Sequence, residues 1–393
     1  MQLSPDSIVI TGLGMVSSLG LDVTSACAAA RAGINRAQRI PHLLFPDEAQ
    51  REMIPVTGYS LGSFSAGFTG LGRLVRLGTA ALTDLLEYSN LPNDGRTGIV
   101  VNASSGFYLT EWEKEQHAEL DKKIGGPPGT QEPYEMQLRN EHYAKLLVPR
   151  LARLSGMALD PHASRVLFRD QTGMTDAIRL ASDWLKHRAV ERCIIGGIDS
   201  YLEESFVAAF DHFGVIRKEA KPTGFLPGEA AAFVLLERVD RARRRSARAE
   251  AVLHEPQQDA EPFHRLSGKS ATGAALSRVI DRALAALPDR GRRVGLTLAG
   301  LNGDEHRASD WGGALMRLRQ AYPQLGQREW YPAESFGETG AAGGPVAICL
   351  GVRAIARGYA ASDEILVWLT SDRGSVRPSA SGDTRNNCTR HPP

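Results

Sequence analysis

Residues 273–304 read GAALSRVIDRALAAL, PDRGRR, VGLTLAGLNGD: a helical apolar spacing, a polar turn, then an apolar strand. Residues 71–106 read LGRLVRLGTAALTDLLEYSNL, PNDGR, TGIVVNASSG, which is the same order. The repetition continues downstream of each. DAIRLASDWLKHRAVE (176–191) leads into RCIIGGIDS (192–200), and GPVAICLGVRAIARGYAASDE (344–364) leads into ILVWLTSD (365–372). Helix, turn, strand, loop, helix, strand therefore occurs twice, with little residue identity, split near the basic stretch Arg238 to Arg248. Alternating helices and strands predict α/β layers with mainly parallel strands. Two such halves predict an internally duplicated fold. The expected division is an N-terminal half over 1–240, a C-terminal half over 247–374 and a tail over 375–393.

Around these repeats the chain is read more coarsely. IVITGLGMV (8–16) reads as a buried strand followed by a tight turn at its glycines. VTSACAAARAG (23–33) reads as a helix stopped at Gly33. Phe45 to Phe68 reads as irregular. Residues 111–156 are highly charged and read as a helical insertion with the loop IGGPPGTQEP in its middle. The last residues, SVRPSASGDTRNNCTRHPP, carry almost no large apolar groups and are expected to be poorly held.

Composition excludes several function classes. The chain has 393 residues, 42% hydrophobic and 23% charged, with a formal net charge of +1. No bulk polarity points to nucleic acid or an anionic membrane. The basic run ERVDRARRRSARAE (237–250) lacks interleaved aromatics and reads as a solvated helix linking the halves. Cys27, Cys193, Cys349 and Cys388 form no CxxC pair, which argues against a zinc site and a disulfide framework. Gly12-Leu13-Gly14 lacks the full dinucleotide fingerprint. The N-terminus has no signal-peptide pattern and no run reaches the roughly 18 apolar residues of a membrane span. The expected setting is cytoplasmic, with no cofactor and no metal.

One turn raises a chemical question. In FRDQTGMTDAI (168–178) an apolar strand turns into an amphipathic helix, a place where a nucleophile is often exposed beside helix amides. The turn carries Gln171, and an amide is not a nucleophile.

Three further segments bear on it. ITGLGMVSSLG (10–20), TGFLPGEAAAFVLLE (223–237) and TGAAGG (339–344), in that order across nearly the whole chain, resemble the β-ketoacyl synthases of the thiolase superfamily. The resemblance implies a five-layered α-β-α-β-α thiolase-like fold of two similar halves, assembled as a dimer. It also implies a cysteine at the strand-to-helix turn and two histidines for decarboxylation and carbonyl polarisation. Carried over position by position, the nucleophile falls on Gln171. The first histidine falls on Leu301 or Asn302 within AGLNGDEHR (299–307). In ESFGETGAAGG (334–344) the second histidine falls on Glu338, and Glu334 replaces the usual lysine. TSDRGS (370–375) stands where a glycine- and phenylalanine-rich closing loop is expected. All three catalytic positions are changed, so the resemblance implies a degenerate member of the family.

Asp304, Glu305 and His306 are candidate substitutes that could join Glu334 and Glu338 near Gln171. Against them stands a plainer expectation: Asp304 and Glu305 cap a helix or face water, and Glu338 bonds local backbone amides. Two functional classes follow. One is a silent binding or assembly partner: a scaffold, a chain-length-factor-like partner of an active ketosynthase, or an accessory protein for secretion-effector delivery. The other is a cysteine-independent acyl-thioester enzyme, condensing or decarboxylating. The first expects a narrowed tunnel with Gln171 hydrogen-bonded in place; the second expects an open pocket. The expected partners are a second copy or a ketosynthase paralogue through the SRVLFRD edge (164–170), with an acyl carrier protein or a secretion effector or adaptor as further candidates.

Overall fold

The computed structural model describes residues 4–47, 52–124 and 134–373. Most of the expected insertion loop (125–133) and the tail (375–393) lie outside the described residues.

In chain order the elements are β1 (Ile8–Ser17), α1 (Val23–Arg31), β2 (Gln38–Asp47), β3 (Glu52–Gly58), α2 (Gly70–Ser89), β4 (Thr97–Ala103), α3 (Phe107–Ile124), α4 (Tyr134–Ser155), β5 (Leu159–Phe168), α5 (Gly173–Lys186) and β6 (Arg192–Ser200). Then come α6 (Glu204–His212), β7 (Glu229–Arg238), α7 (Val239–Arg244), β8 (Ala251–Val252), α8 (Ala274–Ala285), β9 (Val294–Ala299), α9 (Glu305–Leu318), β10 (Glu329–Trp330), α10 (Pro332–Phe336), α11 (Gly343–Ala356) and β11 (Glu364–Trp368).

Six strands form one sheet in the order β5-β4-β6-β7-β1-β8, and three form another in the order β10-β9-β11. The smaller sheet is wholly parallel. In the larger, β5, β4 and β6 run parallel, but β7 opposes β6, and β1 opposes both β7 and β8. It is mixed, where the sequence pattern predicts mainly parallel strands.

The layers follow from which faces are apolar. α5 and α11 carry small and aliphatic residues, such as Ala177, Ala181, Val346 and Ala347, and pack between the two sheets. α2 and α4 cover the outside of the six-stranded sheet, burying Leu82, Leu85, Leu147 and Leu151. α8 and α9 cover the outside of the smaller one, around Leu276, Ile280, Trp311 and Trp368. The result is a five-layered α-β-α-β-α body. β7 lies buried over its whole length because helices cover it on both sides, which explains a strand reading EAAAFVLLER without polar alternation. Its end residue Glu229 is fully buried and accepts hydrogen bonds from Leu61 N (2.8 Å) and Ser200 Oγ (3.1 Å).

Two expectations fail here, each for a local reason. Gly12 and Gly14 make no turn; β1 runs through both to Ser17, with one register shift between Ile10 and Gly12. Gly14 is small because α2 crosses it: a Cβ there would lie 2.2 Å from the Ala81 carbonyl oxygen and 2.6 Å from Leu85 N. The stretch from Phe45 to Phe68 is only partly irregular, since β2 and β3 pair antiparallel as a separate hairpin. The charged insertion is helical as expected, yet α4 is no mere appendage, because Leu147 and Leu151 reach the core. The basic run contributes the short α7, and Arg245 just beyond it pairs with buried Glu237 at 2.6 Å.

Among the described residues, no helix is long and apolar enough to cross a membrane.

Candidate functional site

β5 delivers the chain to the turn at Arg169–Thr172, and α5 carries it away. The turn is held tightly. Asp170 accepts from Thr172 N at 3.1 Å and Thr172 Oγ1 at 2.8 Å, and Asn102, at the end of β4, donates to the Asp170 carbonyl at 2.9 Å. Gly173 must be glycine, since a Cβ would lie 2.5 Å from the Asn102 side chain. Burial raises the Asp170 pKa above the usual carboxylate range, against hydrogen bonds from Ser371 and Thr172.

Gln171 therefore points into the protein, with only 6% of its surface exposed. Its Nε2 donates to Glu338 Oε1. Glu338 is 3% exposed and fully satisfied. Oε1 also accepts from Gly340 N at 3.0 Å, while Oε2 accepts from Asn302 Nδ2 at 2.7 Å and Arg307 Nη1 at 2.8 Å. Its backbone is pinned as well: Glu338 N donates to Leu226 O at 2.8 Å, and Glu338 O accepts from Gly228 N at 2.9 Å.

Arg307 carries the network on. Its Nε and Nη2 fork onto Asp372 at 3.2 Å, and Asp372 Oδ2 accepts from Tyr108 OH at 3.0 Å. Burial opposes the guanidinium charge, yet Asp372 and Glu338 together hold the Arg307 pKa above its ordinary value. Tyr108 is pushed up by burial and by Asp372, which keeps the phenol a donor. Gln171, Glu338, Arg307, Asp372 and Tyr108 thus form one continuous chain of hydrogen bonds, buried except at the half-buried Asp372, in which the arginine offsets carboxylates on two sides.

A groove of about 1500 Å³ reaches Arg307 and Asp372, but little space remains beside Gln171 itself. One neighbouring cavity, lined by Tyr108, Phe210 and Phe225 among others, measures about 20 Å³. Another, lined by Leu298, Phe336 and Val346 among others, measures about 30 Å³. A water needs at least ~10–15 Å³ measured this way, so each holds a water or two and no acyl chain. Among the described residues, no cysteine lines either cavity. Cys27, Cys193 and Cys349 are buried free thiols, each with its pKa raised chiefly by burial, that of Cys27 to about 12. Among the described residues, no group of three or more His, Cys, Asp or Glu could hold a metal ion.

Of the positions singled out in the sequence, the fold brings Gln171, Asn302 and Glu338 together. Leu301 instead packs with the outer cluster around α8 and α9. Glu334 is exposed on α10, and it is its backbone carbonyl that is engaged, by Tyr59 OH at 2.7 Å. Asp304 caps α9 by accepting from His306 N at 2.9 Å, and it pairs with Arg265 at 3.0 Å. Glu305 is exposed, and the His306 ring bonds the Phe263 carbonyl at 2.8 Å. Asp304, Glu305, His306 and Glu334 therefore do not converge on Gln171.

The residues that sequence reading missed are Arg307, Asp372 and Tyr108. A signal for the first was present: Arg307 lies four before Trp311, on the same helical stripe as Ala314 and Leu318. No comparable signal marks Asp372.

No family model and no curated protein matches the sequence. Solved structures do match. A chain of the AntDE:AntF complex, a type II PKS acyl-carrier protein with its ketosynthase bound to the hexaketide, aligns with a TM-score of 0.66 at 17% identity, over 90% of this chain and 87% of that one. The ishigamide ketosynthase/chain length factor aligns with a TM-score of 0.64 at 20% identity, over 90% and 86% of the two chains. A β-ketoacyl synthase from Burkholderia phymatum STM815 gives 0.59 at 18% identity, over 89% and 86%. At these identities the likeness is one of fold, and the chain has the layered α/β fold of thiolase-like ketosynthases.

Proposed function

We propose that the chain is a catalytically silent ketosynthase-like protein that acts as a binding or assembly partner. One observation carries this reading. At the strand-to-helix turn the side chain is an amide, and it is spent on a buried carboxylate that is itself saturated with donors. Thioester exchange needs a nucleophile and room for an acyl chain. Here the two cavities that Gln171 lines hold a water or two each, and the Glu338 carboxylate beside it would oppose the negative charge that develops in acyl transfer.

A chain-length-factor-like partner of an active ketosynthase is the form of this reading we favour. Among the described residues β5 is the outermost strand of its sheet and pairs with β4 alone, and it has exposed or half-buried residues along most of its length. Such an edge suits pairing across a two-fold axis, with a second copy or with a paralogue. An acyl carrier protein would then meet the pair.

The test is mass spectrometry of the protein incubated with acyl- and malonyl-carrier protein. The expected result is no covalent acyl adduct and no carbon dioxide release above background. An adduct on any residue of the Gln171 cluster, or decarboxylation lost in Glu338→Gln, would overturn the silent reading. Sedimentation and a pull-down from the native host then identify the partner at the β5 edge.

A further inference from the structure

Four arginines gather at the end of α11 remote from Gln171. α11 starts beside the site: a Cβ on Gly343 would lie 3.3 Å from Gln171 Cγ. Its 14 residues carry the chain about 20 Å away, at about 1.5 Å each. There stand Arg353, in the last turn, and Arg357, at the C-cap. Arg31 ends α1, and its guanidinium lies over the Tyr359 ring, 4.3 Å from the centroid. Trp330 stacks on the same ring, with centroids 5.8 Å apart. Arg328 donates to the Tyr359 and Ala360 carbonyls, at 2.7 Å each. The Tyr359 phenol registers the cluster: burial raises its pKa, while Arg353, Arg31 and Arg357 pull it down.

Arginines at helix ends can simply complement the helix dipoles. Magnitudes show that this is not their whole account. The C-termini of α1 and α11 bring about half a negative charge each, roughly one together. Against that stand four guanidinium charges. Among the described residues, none of the four arginines pairs with a carboxylate. The face therefore carries an excess of about three positive charges, on a chain whose formal net charge is +1.

The residue type narrows what it fits. A guanidinium fork meets a carboxylate or a phosphate two bonds at a time. Arg31 and Arg357 are exposed, and among the described residues neither side chain has a hydrogen-bond acceptor. Stacking on Tyr359 occupies the face of the Arg31 guanidinium and leaves its in-plane N–H groups free, so the fork is ordered before a partner arrives. A nucleic acid follows a basic stripe on a cationic domain, whereas here the excess is local and the chain nearly neutral. Carboxylates on a short stretch of polypeptide match that extent and charge.

We propose that this face docks an acidic segment of a partner polypeptide, whose Asp or Glu side chains pair with Arg31 and Arg357 while Arg328 and Arg353 add to the attraction. This goes beyond the silent-site reading and does not depend on it, because the face lies about 20 Å from Gln171 and would serve an active enzyme equally.

The probe is a short oligoglutamate peptide titrated into the full chain at low salt, beside an oligouridylate of equal charge and vesicles containing phosphatidylserine. The peptide is expected to bind, and more weakly as salt rises. Arg31→Gln with Arg357→Gln should weaken its binding about tenfold or more, and lysine at both positions should weaken it less. Arg150→Gln with Arg153→Gln, two exposed arginines on α4, should leave it unchanged. Circular dichroism of all three variants should match the wild type, since each replaced side chain is exposed. Absence of peptide binding, or equal loss from the two glutamine pairs, overturns the proposal. So does tighter binding of the oligouridylate or the vesicles with the same dependence on Arg31 and Arg357, which would make the partner a nucleic acid or a membrane. None of these outcomes bears on acylation at Gln171, so the two readings fail separately.

Discussion

Glu338→Gln should be among the most damaging isosteric changes available in this protein. The carboxylate takes two donors on each oxygen: Gln171 and Gly340 N on Oε1, Asn302 and Arg307 on Oε2. A glutamine keeps the shape but converts one oxygen into a donor. With that NH₂ on the Oε1 side, the Gln171 amide can flip its oxygen inward and recover one bond, while Gly340 N loses its partner. With the NH₂ on the other side, Arg307 faces a donor. Either way the guanidinium keeps only Asp372 as counter-charge, at 6% exposure. Removing one member of a buried ion pair costs about 3–5 kcal/mol, and the unpaired amide adds to this. Denaturant unfolding of the wild type and the variant, with Glu305→Gln as an exposed control, measures the difference. Replacing both partners, as Glu338→Gln with Arg307→Met, should recover part of the loss, and the double-mutant cycle isolates the coupling. A Glu338→Gln midpoint within about 1 kcal/mol of wild type would refute the network as a structural element.

Gln171→Cys places a thiol beside the Glu338 carboxylate in a buried site, both of which raise a thiol pKa. Iodoacetamide should label the introduced thiol only after denaturation; labelling in the native protein, read peptide by peptide, would show an accessible nucleophile site. Asp199 has its pKa raised from 3.8 to about 7 by burial, despite hydrogen bonds from Ala341 N and Ser200 N. The folded state therefore holds this proton more tightly than the unfolded state. The sign is that stability falls as pH rises from about 4 through 7, by about 3 kcal/mol between pH 5 and 8. Asp199→Asn should remove this contribution from the measured slope, and an unchanged slope would refute it. Gly197→Ala puts a methyl 2.0 Å from the Ala341 carbonyl, a backbone atom that cannot step aside. A loss of about 3 kcal/mol or more is expected in a thermal scan, and a melting temperature unchanged within about 2 °C would contradict the close approach.

Much of the layer architecture was legible because it rests on local patterns. α5 and β6, and again α11 and β11, announce themselves through helical spacing followed by a continuous apolar run. The β2–β3 hairpin was hidden because Pro41, Pro46 and Pro55 interrupt the alternation, as a separate two-stranded ribbon tolerates. The glycines of β1 imitate a turn, and only the crossing of α2 shows that they answer a packing demand. At the site, Gln171 and Glu338 could be matched by motif, and Asn302 by its place after β9. The partner of Glu338 could not, because attention to charge and metal-ligand chemistry favoured His306 over its neighbour Arg307. Asp372 lies 65 residues from Arg307, and their pairing depends on how β11 returns beside β9. Contacts of that range follow from topology, which a one-dimensional pattern expresses only weakly.

The position of β1 has a consequence for synthesis. Thr11 is buried against Glu237, 226 residues later, and the strand around it is flanked by β7 and β8. At a translation rate of about 5–20 residues per second, IVITGLGMVS waits roughly 10–50 s on the ribosome before its partners emerge. An apolar β-branched strand exposed for that long is a hazard for aggregation between nascent chains. Gly12 and Gly14, which the finished fold needs for the crossing of α2, also weaken the β-propensity of the strand while it waits. The same two residues serve the folded packing and the safety of the unfinished chain.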